Sequence, residues 1–303
     1  MNSLPFDKPG RFWRGNLHTH SDRSDGLLPP EAVCRRYQES GYDFIALTDH
    51  FLERYGHPIV DTRDFRNDEF TTLIGAELHS DMTELGGMWH LLAVGLPLDF
   101  AAGSADEPVA ELAQRALQTG AFVAAAHPQW YTQTERDIAT LGQVDAIEIY
   151  NGVAIDSNDR PDGWYLADIM LGRGNRFFTY AADDFHGVKD RNDFQRGWVQ
   201  VRAENLTPDA LLAALKQGHF YSSTGPQIHD VALTAERQLT VRCSPASRVF
   251  VTGRGPTASF VGGSGLVEAE FDLSAFNSAY CRVTVRDHLG GRAWTNPIWF
   301  EAE

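Results

Sequence analysis

Histidines placed one by one at the ends of apolar, β-rich runs constrain this chain more than any other feature. His18 and His20 follow Arg14-Gly-Asn-Leu, His50 ends Phe44-Ile-Ala-Leu-Thr-Asp-His50, and His90 opens Leu91-Leu-Ala-Val-Gly-Leu96. His127 ends Ala121-Phe-Val-Ala-Ala-Ala-His127, His186 ends Thr179-Tyr-Ala-Ala-Asp-Asp-Phe-His186, and Glu77 closes Thr71-Thr-Leu-Ile-Gly-Ala-Glu77. Donors dispersed over so many strand ends cannot meet in a local motif. They meet at the C-terminal mouth of a barrel of parallel strands, where such folds place their chemistry. Imidazoles with carboxylates at that mouth read as a site for two or three divalent metal ions.

Size and composition narrow the class. A chain of 303 residues accommodates one large barrel with a small companion domain. Apolar residues at 43% and charged residues at 22% suit a soluble globular enzyme. A net charge of −15 argues against long nucleic acid and anionic membranes, both of which need basic surface. No run reaches the roughly 18 apolar residues of a membrane span, and Met1–Lys8 lacks the basic and apolar regions of a secretory signal. Cys34, Cys243 and Cys281 are odd in number and far apart, so they read as buried thiols in a reducing cytoplasm.

Strand and helix patterns alternate up to residue 226. Strand-like runs fall near 14–20, 43–48, 71–77, 89–95, 121–126, 144–150 and 175–181. Helical patterns fall near 30–40, 106–119, 133–141, 162–172 and 207–217. Pro29-Pro30 suits a helix start, Gly41, Gly120 and Gly218 suit positions past helix ends, and Thr207-Pro208-Asp209 suits a cap. Such alternation predicts parallel βα units, seven of them, in a TIM-like barrel spanning 1–226. The competing open doubly wound sheet lacks a G-x-G-x-x-G after its first strand. After Ser222-Ser-Thr-Gly-Pro226 the texture becomes short alternating runs at 228–233, 238–243, 248–252, 258–262, 266–271, 279–285 and 293–300. These predict a small all-β, sandwich-like domain over 227–303. Its aromatic residues Phe250, Phe260, Phe271, Trp294, Trp299 and Phe300 read as core and domain-interface residues.

The sharpest motif is Asn16-Leu-His18-Thr-His20-Ser-Asp-Arg-Ser-Asp25-Gly26, in which strand alternation points His18 and His20 to one side. His18-Thr-His20 with Ser24-Asp25-Gly26, Thr48-Asp49-His50, Gly75-Ala-Glu77, His90, Ala126-His127-Pro128 and Asp184-Phe-His186 resemble, in order, the motifs of the PHP superfamily, named for polymerase and histidinol phosphatase. The resemblance covers residues 14–226; Ile147-Glu-Ile-Tyr-Asn151-Gly152 and the β-rich tail look like a bacterial branch with an appended C-terminal domain. It implies a distorted (β/α)7 barrel holding two or three divalent ions and hydrolysing phosphoesters. One ion would be held by His18, His20, Glu77 and Asp184, with Glu77 bridging to a second held by His90 and His127. A third position would use Asp25, His50 and His186, Asp25 standing where some members carry histidine. The spacing to His186 favours Asp184 over Asp183, which then points to the opposite face.

The chemistry that follows is attack on a phosphoester by hydroxide bridging two ions, which lower the pKa of a bound water toward roughly 7. Manganese, iron and zinc all suit mixed imidazole and carboxylate ligation. His50 or His186 is the candidate general acid, and Arg23 is the first candidate for a phosphate contact, ahead of Arg196 and Arg160. His79, two residues past Glu77, is a candidate supporting or substrate-contacting residue. His57, His219, His229 and His288 read as surface or structural histidines. Tyr131, Asn151 and Trp164 fall in loops expected to rise over the mouth, as substrate contacts or packing residues. The expected substrate is a small phosphorylated metabolite or nucleotide. A metal-dependent amidase on the same barrel and a non-catalytic metal-binding scaffold are the competing readings.

Overall fold

The computed structural model describes residues 4–104 and 106–300. The start of the N-terminal segment, residue 105 in the loop after Phe100, and residues 301–303 of the tail range lie outside the described residues. Strands run β1 (Arg11–Asn16), β2 (Phe44–Leu47), β3 (His50–Phe51), β4 (Thr71–Met82), β5 (Met88–Val94), β6 (Phe122–Ala125), β7 (Ala146–Asn151) and β8 (Phe178–Ala182). They continue as β9 (Trp198–Ala203), β10 (Phe220–Ser223), β11 (Ile228–Leu233), β12 (Gln238–Thr252), β13 (Ala258–Asp272), β14 (Tyr280–Arg286), β15 (Arg292–Thr295) and β16 (Ile298–Trp299). Helices are α1 (Pro30–Glu39), α2 (Val109–Gln118), α3 (Glu135–Leu141), α4 (Ala154–Ser157), α5 (Trp164–Gly172) and α6 (Pro208–Lys216). Thr207 caps α6 by accepting the Ala210 amide at 3.4 Å.

One hydrogen-bonded sheet runs β11-β12-β14-β15-β10-β9-β1-β2-β4-β5-β6-β7-β8. The pairs β1–β2, β2–β4, β6–β7 and β7–β8 are parallel. The expectation of seven parallel βα units is corrected at β5, which runs antiparallel to both β4 and β6. Only the turn Thr83–Gly87 separates β4 from β5, too few residues for a crossover helix. Gly87 donates to the Thr83 hydroxyl at 3.0 Å within that turn, and Gly86 takes φ +86°. Reversal explains why His90 opens its run when the other histidines end theirs: the start of β5 lies beside the C-terminal end of β4.

Alternation along the inner strands divides the core. Phe44 and Ala46 of β2, Phe122 and Ala124 of β6, and Tyr180 and Ala182 of β8 join one cluster. Their alternates Val123, Ala125, Ile147 and Ile149 pack on Leu112 and Ala116 of α2, Ile138 of α3, and Ala167 and Met170 of α5. Ile45 and Leu47 pack on Val33, Cys34 and Tyr37 of α1. A sheet buried on both faces needs continuous apolar runs, which is what these strands carry. Each such Leu, Ile or Phe contributes about 1.5–3 kcal/mol by leaving water.

Residues just past β8 return to β1: Thr19 and Phe185 bridge in parallel, with the His20 amide donating to the Phe185 carbonyl at 2.7 Å. The β-rich tail does not form a sheet of its own. β10 pairs with β15 from Tyr221↔Thr295 to Ser223↔Ala293, so the ladder crosses the boundary read near residue 226. A core centred on Val231, Val241, Val249, Val251, Phe271, Val283 and Val285 fills the tail strands. Four expected short runs merge into two long strands, β12 and β13, whose register shifts between Arg242 and Arg248. Pro245 lies in that interval and has no amide to donate, so the irregularity accommodates it. Trp294 and Trp299 pack into the cluster under α5, as expected of interface residues, whereas Phe260 is 56% exposed. All three cysteines are free and buried, and no helix among the described residues is long and apolar enough to cross a membrane.

Candidate metal centre

The nine expected ligands meet at one end of the sheet. His20 Nε2 lies 3.0 Å from Asp184 Oδ1, and His18 Nε2 lies 3.3 Å from Asp184 Oδ1 and 3.4 Å from Glu77 Oε1. Glu77 is the shared residue: its Oε1 is 2.8 Å from His90 Nδ1 and 3.1 Å from His127 Nε2, and its Oε2 is 2.6 Å from His50 Nδ1. Asp25 stands 3.4 Å from both His50 Nε2 and His186 Nε2. Backbone conformation aims two of these side chains, since His127 and Asp184 take φ +28° and +54°. Left-handed conformations at non-glycine residues concentrate where a site demands them.

Surrounding residues fix which nitrogen faces the centre. Glu148 accepts from His18 Nδ1 at 3.1 Å, leaving the lone pair on Nε2, toward Glu77 and Asp184. Tyr180 and Asn151 donate to the same Glu148 carboxylate at 2.9 and 2.8 Å, and Asn151 also donates to Asp184 at 3.0 Å. His186 Nδ1 donates to the Asp184 carbonyl at 2.7 Å, so its Nε2 is likewise free. Asp49 holds the Ser21–Gly26 turn, accepting the Ser21 amide and hydroxyl at 2.7 Å each and the Ser24 hydroxyl at 2.6 Å. Gly26 is required there, because a Cβ would stand 2.7 Å from the His20 carbonyl carbon. Asp183 faces away, accepting from the Tyr37 hydroxyl at 2.8 Å and from the Gln195 and Gly197 amides at 3.0 and 2.9 Å.

Three donor atoms at the heart of the cluster, His18 Nε2, His20 Nε2 and Glu77 Oε2, are buried and make no well-formed hydrogen bond, although His50 Nδ1 lies 2.6 Å from Glu77 Oε2 and Asp184 Oδ1 lies 3.0 Å from His20 Nε2. Buried polar atoms without partners are costly unless another group completes them. A divalent ion is a group that this donor set fits, since imidazole nitrogens and carboxylate oxygens are its usual ligands. The electrostatics agree. Burial opposes charge on Glu77, yet His90, His50 and His18 outweigh it and hold the carboxyl well below its usual range. Burial likewise opposes charge on His50, and Glu77 and Asp25 outweigh it, pushing the imidazole up to about 10. His20 is pulled down to about 4 by burial and by His186 and His50. Burial and His90 also push His79 down.

A cavity of about 500 Å³ opens over the cluster, lined by Asp25, His50, His90, His127, Asp184 and His186 with Trp130, Tyr131, Arg54 and Arg191. Arg23, expected as the phosphate contact, lies with its guanidinium 3.6 Å from Asp22, is 61% exposed and is not among the residues lining the cavity. Arg196 donates to the Asn192 carbonyl, and neither it nor the exposed Arg160 lines the cavity. Arg54 and Arg191, which the sequence reading did not single out, line the cavity instead. Tyr131 reaches the centre, its hydroxyl 3.0 Å from His90 Nε2. Asn151 is fully buried and Trp164 lies in the core, stacked under Arg282, so neither contacts the mouth. His79 lines the cavity, its Nε2 3.0 Å from His50 Nδ1. Glu148 escaped the sequence reading although it left a signal: a lone acid inside Ala146-Ile-Glu148-Ile-Tyr, a strand otherwise apolar, must be paired once buried.

No family model matches the chain, and no curated protein matches its sequence. Solved structures do. A two-domain protein containing a predicted PHP-like metal-dependent phosphoesterase, from Bacteroides vulgatus ATCC 8482, aligns over 98% of this chain and 90% of its own at 14% identity, with a TM-score of 0.54. An amidohydrolase from Chromobacterium violaceum, with bound sulfate and no metal, aligns over 58% of this chain and 89% of its own at 16% identity and a TM-score of 0.42. A candidate metal-dependent phosphoesterase from Bifidobacterium adolescentis ATCC 15703 aligns over 67% and 96% at 14% identity and the same score. The last two are too distant to carry an argument. The first shares its mixed α/β fold with this chain along nearly the chain's whole length.

Proposed function

We propose that this protein is a metal-dependent phosphoesterase acting on a small phosphorylated metabolite or nucleotide. The observation that carries the reading is the convergence of nine donors from segments far apart in sequence onto one buried cluster, at whose heart His18 Nε2, His20 Nε2 and Glu77 Oε2 make no well-formed hydrogen bond. His18, His20, Glu77 and Asp184 would hold one divalent ion, Glu77, His90 and His127 a second, and Asp25, His50 and His186 a third. When bound, such ions neutralise phosphoryl charge and bring the pKa of a water toward roughly 7. Manganese, iron or zinc fits the ligand set.

The chain's own residues supply the rest. Arg54 and Arg191 line the mouth, where a guanidinium matches phosphate oxygens. Trp130 and Tyr131 wall the cavity against the organic part of the substrate. His50 and His186 border it and are positioned to give a proton to the departing oxygen when not engaged as ligands. A cavity of about 500 Å³ suits a compact molecule, and the net charge of −15 disfavours long polyanions. We read the arc from β1 to β8 as a distorted (β/α)7 barrel over 1–226, the strands of 227–303 as its β domain, and the cytoplasm as its setting.

Elemental analysis of the purified protein, with hydrolysis of an aryl phosphate, an aryl phosphodiester and an aryl amide, tests the proposal. Two or three ions per chain and phosphoester hydrolysis abolished by chelation are expected. Amide turnover without ester turnover would move the activity to an amidase. Less than one ion, and no turnover after manganese, iron or zinc is restored, would leave a non-catalytic scaffold.

A further inference from the structure

We propose that His79 is itself a metal ligand, forming with His50, Glu77 and His90 a divalent-cation position at the edge of the mouth that the PHP ligand series does not include. The inference rests on the metal-centre reading above. Three strands build the position. Glu77 and His79 are two residues apart on β4 and so share a face. His90 of β5 stands directly opposite His79 in the ladder, their rings 4.3 Å apart and nearly perpendicular. β3 lies parallel to β4 with His50 opposite Glu77. One donor atom from each of the four residues falls within 4.8 Å of all the others.

Proton accounting leaves this arrangement incomplete. His50 Nδ1 faces Glu77 Oε2 at 2.6 Å and His79 Nε2 at 3.0 Å. One N–H on His50 satisfies the carboxylate or the facing imidazole, not both. The far nitrogen of His79, Nδ1, is buried with no hydrogen-bond partner among the described residues, so the ring is not held in place by hydrogen bonding elsewhere. Imidazole nitrogens and a carboxylate oxygen converging on one point form a donor set that a divalent cation completes. Access is open, because His79 lines the mouth cavity and also an adjoining one lined by Leu52, Ser80, Met88 and Glu107.

His50 has a nitrogen on each side: Nδ1 toward His79, and Nε2 toward Asp25 at 3.4 Å. A neutral imidazole has one lone pair, so it serves one side at a time. An ion taken by His79 therefore competes with the position formed by Asp25 and His186.

The test replaces His79 with cysteine and, separately, with glutamine in the full chain, then loads each protein and the parent with cobalt(II). His79→Cys is expected to show a thiolate-to-cobalt charge-transfer band absent from the parent, whose Cys34, Cys243 and Cys281 are already present as background. His79→Gln is expected to hold one ion fewer, or to bind its weakest ion at least tenfold less tightly by titration calorimetry. Circular dichroism identifies a variant that has not folded, and either variant alone decides the matter. No new band in His79→Cys, or an unchanged ion count and affinity in His79→Gln, overturns the role of His79 while leaving the metal centre standing. A parent protein that retains no cobalt overturns the metal centre itself.

Discussion

Glu148 does not line the mouth cavity, yet it orients His18, one of the expected ligands. By accepting the His18 Nδ1 proton at 3.1 Å it aims the opposite nitrogen at Glu77 and Asp184, and its charge raises the basicity of the ring. Glu148→Gln removes the charge while nearly keeping the shape, so the tightest-bound ion should weaken by roughly 10- to 100-fold. Competition with a chromophoric chelator measures this; affinity equal to the parent's would sink the idea. His50 carries the second prediction. Its imidazole, pushed up to about 10 by Glu77 and Asp25 against the opposing effect of burial, is protonated near neutral pH without metal. A ligand nitrogen must first lose its proton, so ion affinity should rise with pH until that value is passed, and uptake near pH 7 should release protons. Calorimetry in buffers of different ionisation heats reads the release directly, and heats independent of the buffer would contradict it. Most of the nine expected ligands were legible because they end or open an apolar run, whereas Asp25, in the polar Ser21–Gly26 segment, was legible only through the motif resemblance. Arg54 and Arg191 were not, because which arginine faces a mouth depends on loop paths that no periodicity encodes.

At the scale of elements, local pattern located nearly every inner strand and helix but not the direction of β5. Alternation is the same whichever way a strand runs, and only the shortness of the Thr83–Gly87 link betrays the hairpin. Similarly, 238–243 and 248–252 read as two runs because Pro245 interrupts the pattern, whereas the backbone bends and carries on through β12. The turn Ser21–Gly26 is the element on which the Asp25 position depends, and Asp49 anchors it with three hydrogen bonds. Asp49→Ala leaves a buried amide and two hydroxyls without that acceptor and should cost about 2–4 kcal/mol, hydrogen bonds to charged groups being worth roughly 1.5–3 kcal/mol each and not additive. A lowered denaturation midpoint with an unchanged slope is the expected observation. An unshifted midpoint would mean that the turn holds itself.

Across the whole molecule, the boundary near residue 226 is a change of sequence texture that the hydrogen bonding ignores. β10 gives one edge to β9 and the other to β15. Asn296, from the tail, reaches further: its side chain accepts the Thr179 amide of β8 at 2.8 Å and donates to the Gly218 and Phe220 carbonyls at 3.1 and 3.0 Å. It thus laces β8 to the start of β10, where no ladder joins them. Arg282 of β14 adds a paired contact to Asp168 of α5, at 2.8 and 2.7 Å. A chain ended after Pro226 would keep every expected ligand but lose the contacts made by β15, Asn296 and Arg282. It would expose the outer edge of β10 as a template for other strands and leave the Thr179 amide unpaired. We therefore expect the 1–226 fragment to associate or precipitate, and the full chain to unfold in one transition that reports both parts together. Sedimentation of the fragment and calorimetry of the full chain decide this. A monomeric 1–226 fragment taking up metal as the full chain does would show that the inner sheet closes without help, making the tail an appendage rather than part of the wall that holds the centre in shape.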